Sequence, residues 1–164
     1  MKFFRHFTQA LLCSLLVVAP AMATCPSWPT ATRFMISADG TEVTDTRTNL
    51  IWARCSVGQT WSGTTCTGTA STLTHEAALT TAQARSGWRL PNVKELASLA
   101  DRGCQSPAID VTAFPNTSSA VYWASSPIVG DGTKAWGVNF NFGVVEGSNL
   151  RSGSFAARLV RINP

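Results

Sequence analysis

The sequence is poor in the groups that carry out chemistry. It holds two histidines, and His6 falls in a segment read below as cleaved, so His75 alone remains to serve a nucleophile as base. No G-x-S-x-G elbow surrounds Ser125 or Ser126, which argues against a serine hydrolase. No C-x-x-C or paired histidine spacing exists, which argues against zinc, and no other cofactor is implied. Charged residues make up only 13% of the chain. No dense basic face is evident that would suit nucleic acid. No apolar run reaches the roughly 20 residues that a membrane-spanning helix needs.

What is present begins with an export signal. Lys2 and Arg5 precede an apolar run from Ala10 to Ala19, and Ala21-Met22-Ala23 offers the small residues that a signal peptidase reads. Cleavage is expected after Ala23, with residues 24–164 forming one domain, secreted or periplasmic, with association with the cell surface left open. Thr24 before Cys25 disfavours a lipid anchor. Two of the thirteen Lys and Arg leave with the signal, so eleven face nine acidic residues and the net charge falls to +2.

Cys25, Cys55, Cys66 and Cys104 survive cleavage, an even set for an oxidising compartment. Of the three pairings, Cys55 with Cys66 is preferred because Gly58, Gly63 and the Ser/Thr-rich interval between them can close a loop. Cys25 with Cys104 follows.

Local patterns predict the elements. A first strand is expected over Arg33–Ser37, and Val43-Thr44-Asp45 with Leu50-Ile51-Trp52 read as a hairpin whose turn places Asn49 at positive φ. Residues 56–71 read as a loop with Trp61 near its middle. Thr74 caps a helix from His75 to about Arg85, and Asn92 caps a second with Glu95 at the capping-box position. Further strands are expected over 121–125, 134–142, from Val144, and over 158–162, with Trp136, Val138, Phe140 and Phe142 on one face. The fold class expected is α+β.

Several of these segments, in order, resemble the C-terminal domain family of collagen-like bacterial adhesins, the Lcl C-terminal domain. They are Val43-Thr44-Asp45 with Thr48-Asn49-Leu50-Ile51-Trp52, Trp88-Arg89-Leu90-Pro91-Asn92-Val93-Lys94-Glu95-Leu96 and Phe114-Pro115-Asn116. Tyr122-Trp123-Ala124-Ser125-Ser126, Ala135-Trp136-Gly137-Val138-Asn139-Phe140 and Arg158-Leu159-Val160-Arg161 complete the series over about residues 42–162. The resemblance implies a C-type-lectin-like fold, two helices packed on a twisted antiparallel sheet. Asn49 stands where Gly is usual, Leu159 where many members have Cys, and no Gly-X-Y segment occurs. Enzymes of the related sulfatase-modifying fold use a reactive cysteine pair near the C-terminus, and no cysteine follows Cys104.

The function the resemblance implies is a non-enzymatic adhesin or glycan-binding module for sulfated or other anionic polysaccharides such as glycosaminoglycans. Two alternatives stay open: a structural subunit of a cell-surface assembly, in which a homo-oligomer would form, and an enzyme of the sulfatase-modifying-like fold. Candidate ligand-binding residues are Arg151, Lys134, Arg102, Arg158 and Arg161, because guanidinium forks match sulfate and carboxylate, together with Trp61 as an aromatic face. Trp28 is a second aromatic candidate. Arg158 and Arg161 are also read as internal partners of Asp45 or Asp110. Trp52, Trp88, Trp123 and Trp136 are assigned to the core, His75 to the surface, and Glu95, Asp101 and Asp110 to capping and loop hydrogen bonds. Asn139 and Asn141 suit turn and ladder hydrogen bonding better than calcium.

Overall fold

The computed structural model describes residues 33–164. The expected signal over residues 1–23, Cys25 and Trp28 lie outside the described residues.

A buried carboxylate organises the first sheet. Strand β1 (Phe34–Ile36) pairs with β2 (Glu42–Asp45), which turns back as β3 (Leu50–Ala53). Asp45 accepts the backbone N–H of Arg47 at 3.1 Å and the Thr48 hydroxyl at 3.0 Å, while Asn49 closes the turn at φ 53°. The same carboxylate receives the Arg33 guanidinium at 3.0 and 2.7 Å. Burial alone would raise the pKa of Asp45, but the Arg33 hydrogen bond and charge and the turn donors hold it below the usual carboxylate value. All of β3 is buried, as suits a central strand, and β9 (Val160–Ile162) covers its other edge.

The disulfide Cys55–Cys66 is formed, and a two-stranded ribbon of β4 (Thr60–Trp61) and β5 (Cys66–Thr67) sits in the loop it closes. Cys104 is also disulfide-bonded. Helix α1 (His75–Gln83) starts at Thr74, whose side chain accepts the Ala77 N–H. Helix α2 (Val93–Ser98) starts at Asn92 with both halves of a capping box made by Glu95. Glu95 also takes both arms of the Arg89 fork at 2.7 Å.

The third sheet runs in the order β6 (Val121–Ile128), β7 (Asp131–Asn139), β8 (Val144–Leu150). Strand β7 stops at Asn139, where Phe142 and Gly143 donate back to its carbonyl. Val138 and Phe140 are buried, whereas Phe142 is carried outward by that turn. Trp136 is half-buried over Gly147, where an added methyl group would lie 2.8 Å from the ring.

The expected α+β, C-type-lectin-like arrangement of two helices packed on one sheet is overturned. Strands in three antiparallel sheets dominate, and the helices are only nine and six residues long. The physical reason is visible in α1, whose buried residues are His75, Ala78 and Ala82. So small an apolar stripe cannot form a layer of its own.

The last stretch of chain holds the sheets together. Phe155 pairs with Leu73, Ala156 exchanges backbone hydrogen bonds with Val121 and Trp123, and Val160 does so with Arg89 before joining β3. One core group gathers Trp52, Leu96, Phe114, Tyr122, Phe140 and Val160, and a second gathers Ala78, Leu90, Trp123, Ala157 and Leu159.

The tryptophans assigned to the core differ in depth. Trp52 and Trp123 are fully buried, but Trp88 is half-buried, lying between the guanidiniums of Arg85 at 4.5 Å and Arg161 at 5.6 Å. Trp123 also donates from Nε1 to the Leu73 carbonyl at 2.7 Å. Trp123→Ala is therefore expected to cost about 3 to 5 kcal/mol, and Trp88→Ala less than half of that. Urea unfolding curves check the ranking, and equal losses would contradict it.

Candidate functional site

The sequence-predicted cations fall into different environments, and most are already engaged. Arg158 is fully buried. Its Nη1 donates to the carbonyls of Ala53 and Arg54, and its Nη2 to Ser56 Oγ and Thr117 Oγ1. Its carbon Cζ lies 4.8 Å from the Phe114 ring centre. Neither Asp45 nor Asp110 pairs with it, because Asp45 is taken by Arg33 and Asp110 caps the turn at Thr112 and Ala113. Arg161 pairs instead with Glu42 at 2.7 Å, and Lys134 with Asp131 at 2.9 Å. The Thr133 donors, with Lys134, lower the pKa of Asp131 to about 2.

Arg151 is not a free surface group. Its Nε donates to His75 Nδ1 at 3.1 Å, and its Nη1 to the Gly132 carbonyl at 3.3 Å. His75, expected at the surface, is buried beneath it and meets Trp123 edge to face at 5.1 Å. With Nδ1 accepting, the imidazole proton sits on Nε2 and is donated to the Ala124 carbonyl at 2.9 Å. Burial depresses the His75 pKa, the Ala124 bond opposes this, and the charge of Arg151 depresses it further. Alternating apolar residues could not reveal this burial, since His75 opens a helix whose first turn would ordinarily be exposed.

Two clefts remain as candidate sites. The first, about 450 Å³, lies beside the disulfide loop. Trp61 pairs across the ribbon with Cys66, so the bridge to Cys55 fixes the strand opposite it. The nearly buried Arg54 stacks on the ring at 4.0 Å, anchored to the carbonyls of Ala113, Gly40 and Thr112. Gly40, at φ 73°, lets the backbone close on the indole, where a methyl group would lie 2.6 Å from Nε1. Thr41, Gln59, Ser56, Thr60, Thr81 and the exposed Arg85 supply the polar lining, and among the described residues no carboxylate lines the cleft. Arg54, Gln59 and Arg85 were missed as site residues because no motif marks them.

The second cleft, about 680 Å³, lies between the β2–β3 turn, the end of α2 and the β7–β8 turn. Arg102, exposed and donating from Nε to the Gly143 carbonyl at 3.3 Å, lines it with Arg33, Arg47, Asp101 and Asp110. Arg33 is neutralised by Asp45, which leaves two guanidiniums against two carboxylates. Larger as it is, this cleft has no net preference for an anion. Glu95 is committed to Arg89 and to the α2 cap, as its assignment to capping expects.

Among the described residues no cluster of three His, Cys, Asp or Glu could hold a metal ion, and no helix is long and apolar enough to cross a membrane. The Asn139 side chain donates to Glu146 at 2.9 Å and accepts the Asn141 N–H at 2.9 Å, and the Asn141 side-chain oxygen accepts the Ser106 hydroxyl at 2.8 Å.

The model of the Lcl C-terminal domain family matches residues 41–161. No curated protein sequence matches the chain.

The His75 and Arg151 pair makes a stability prediction. In the unfolded chain His75 takes a proton near pH 6.5, and in the folded chain it resists protonation. Its contribution is therefore complete above about pH 6.5 and is lost as the pH falls through that value toward the lower folded pKa. Thermal melts should show Tm falling between pH 7.5 and pH 5.5. His75→Gln should flatten that slope, while Asp45 and Glu95 titrate too low to account for it.

Proposed function

The chain belongs to the Lcl C-terminal domain family, and on that premise we propose that it is an exported, non-catalytic, adhesin-like domain that binds anionic glycans in the Trp61 cleft. The observation that carries the site is the pairing of a half-exposed indole with Arg85 in a cleft lined by hydroxyls and one amide, without a carboxylate. A sugar ring can lie against the indole while the guanidinium fork takes a sulfate or uronate group. The hydroxyl oxygens of the sugar meet Gln59 and the threonine side chains. Export agrees with the formed Cys55–Cys66 disulfide, which persists in oxidising compartments.

Of the residues proposed from sequence, Trp61 stays in this site. Arg102 belongs to the other cleft, Arg151 is redirected to holding His75, and Arg158 acts from within the fold. Lys134 and Arg161 keep their carboxylate partners. A catalytic reading has less to draw on. The described histidine is buried and bonded through both nitrogens.

Dextran sulfate and unsulfated dextran share a backbone and make the test direct. The expected outcome is binding of the sulfated polymer that weakens as salt rises, since screening shortens to about 8 Å at physiological ionic strength. Trp61→Ala and Arg85→Ala should each weaken it by about tenfold, ~1.4 kcal/mol. Arg85→Ala should lower the Tm only slightly, through its stacking on Trp88, whereas Arg151→Ala should lower the Tm more, with little effect on affinity. Equal binding of both polymers, unaffected by these substitutions, would remove the proposal.

A further inference from the structure

Two guanidiniums beneath the Trp61 cleft are buried without any acidic partner. Arg54 is 8% exposed and Arg158 is fully buried. Every hydrogen bond that either makes ends on a neutral acceptor: three carbonyls for Arg54, two carbonyls and two hydroxyls for Arg158. The four ion pairs among the described residues use Arg33, Arg89, Lys134 and Arg161 instead.

Removing a cation from water without a counter-charge is costly, and arginine cannot escape by losing its proton. The position of the two charges gives that cost a use. Arg54 backs the Trp61 ring, and Arg158 donates to Ser56, whose residue lines the same cleft. Buried charges are screened far less than surface ones, so their field reaches the cleft through the residues they touch, Trp61 and Ser56. A guanidinium on the inner face of the indole also offsets the negative quadrupole that the outer face would otherwise present. The ring is thereby tuned away from cations and toward electron-rich groups.

We infer that the Trp61 cleft is a built anion site whose charge selectivity is set from beneath by Arg54 and Arg158, with rim residue Arg85 adding contact rather than supplying the sign of the field. The inference deepens the glycan-binding reading and rests on it for the identity of the natural ligand. The field itself does not depend on that identity.

Collisional quenching of Trp61 fluorescence tests it without any glycan. The probes are iodide and caesium at matched low ionic strength, with the Trp61→Phe protein subtracted and each constant normalised to free N-acetyltryptophanamide. Iodide is expected to quench Trp61 at least threefold more effectively than caesium. That asymmetry should survive in Arg85→Ala and collapse in Arg54→Met. Should Arg54→Met fail to fold, the Arg85→Ala arm still decides. Equal quenching by the two ions in the unmodified protein, or loss of the asymmetry on removing Arg85 alone, would overturn the inference. Failure of dextran sulfate to bind while the asymmetry persists would remove the glycan reading and leave the anion site standing.

Discussion

The guanidinium of Arg158 is the constraint on which the rest of the structure depends. It reaches the end of β3 through the carbonyls of Ala53 and Arg54, the start of the disulfide loop through Ser56, and the segment before β6 through Thr117. Thr117 and Phe114, against which Arg158 stacks, are themselves joined by a hydroxyl-to-carbonyl bond of 2.7 Å. Tyr122 closes the circle by sharing its hydroxyl with Ser56 at 2.9 Å and Ser118 at 3.0 Å. Two stretches far apart in sequence, residues 53–56 and 114–122, are therefore tied to one residue. A buried cation whose Nη1 and Nη2 bonds all end on neutral acceptors, with Nε left unpartnered, is specific in a way that an apolar side chain is not, because any misplacement leaves further donors unsatisfied in a dry interior.

That dependence explains why the C-terminal stretch does so much of the joining. Residues 155–162 make few regular strand pairs, yet they bridge Leu73, Trp123, Arg89 and β3 in turn. Such a segment is extended because each backbone group finds a partner in a different element. Its side chains then alternate between the two core groups and the Arg158 network. The mostly-β character of the fold follows, since the chain is closed by strand-like stitching and the short helices fill the ends.

What could be read in the sequence was local. Asn49 at the hairpin turn, Thr74 and Asn92 at the helix starts, and the Cys55–Cys66 closure are each governed by residues within about a dozen positions, and each stands in the structure as expected. What could not be read was tertiary placement of polar groups. Arg158 and Arg161 follow the same motif three residues apart, yet one is fully buried among carbonyls and the other pairs at the surface with Glu42. His75 and Arg151 are 76 residues apart, and nothing in either neighbourhood announces that they meet. The fold class failed for a related reason. Helix signals are strong per residue, whereas a strand assembled from single bridges leaves almost no periodic trace.

The same distinction bears on recognition by charge. A net charge of +2 after loss of the expected signal gives little reason to look for an anion site, and the partly exposed Arg89, Lys134 and Arg161 are matched by neighbouring carboxylates. Counting charges treats each as equal, but their reach is not. Lys134 beside Asp131 at the surface is close to neutral at a distance of a few ångströms, while Arg54 and Arg158 form no ion pair among the described residues and have little contact with water. Two such buried cations can dominate the potential of one cleft in a nearly neutral molecule. The second cleft, larger and lined by more guanidiniums, is balanced by Asp101 and Asp110 and shows that the number of basic residues at a surface is a poor guide to the sign it presents.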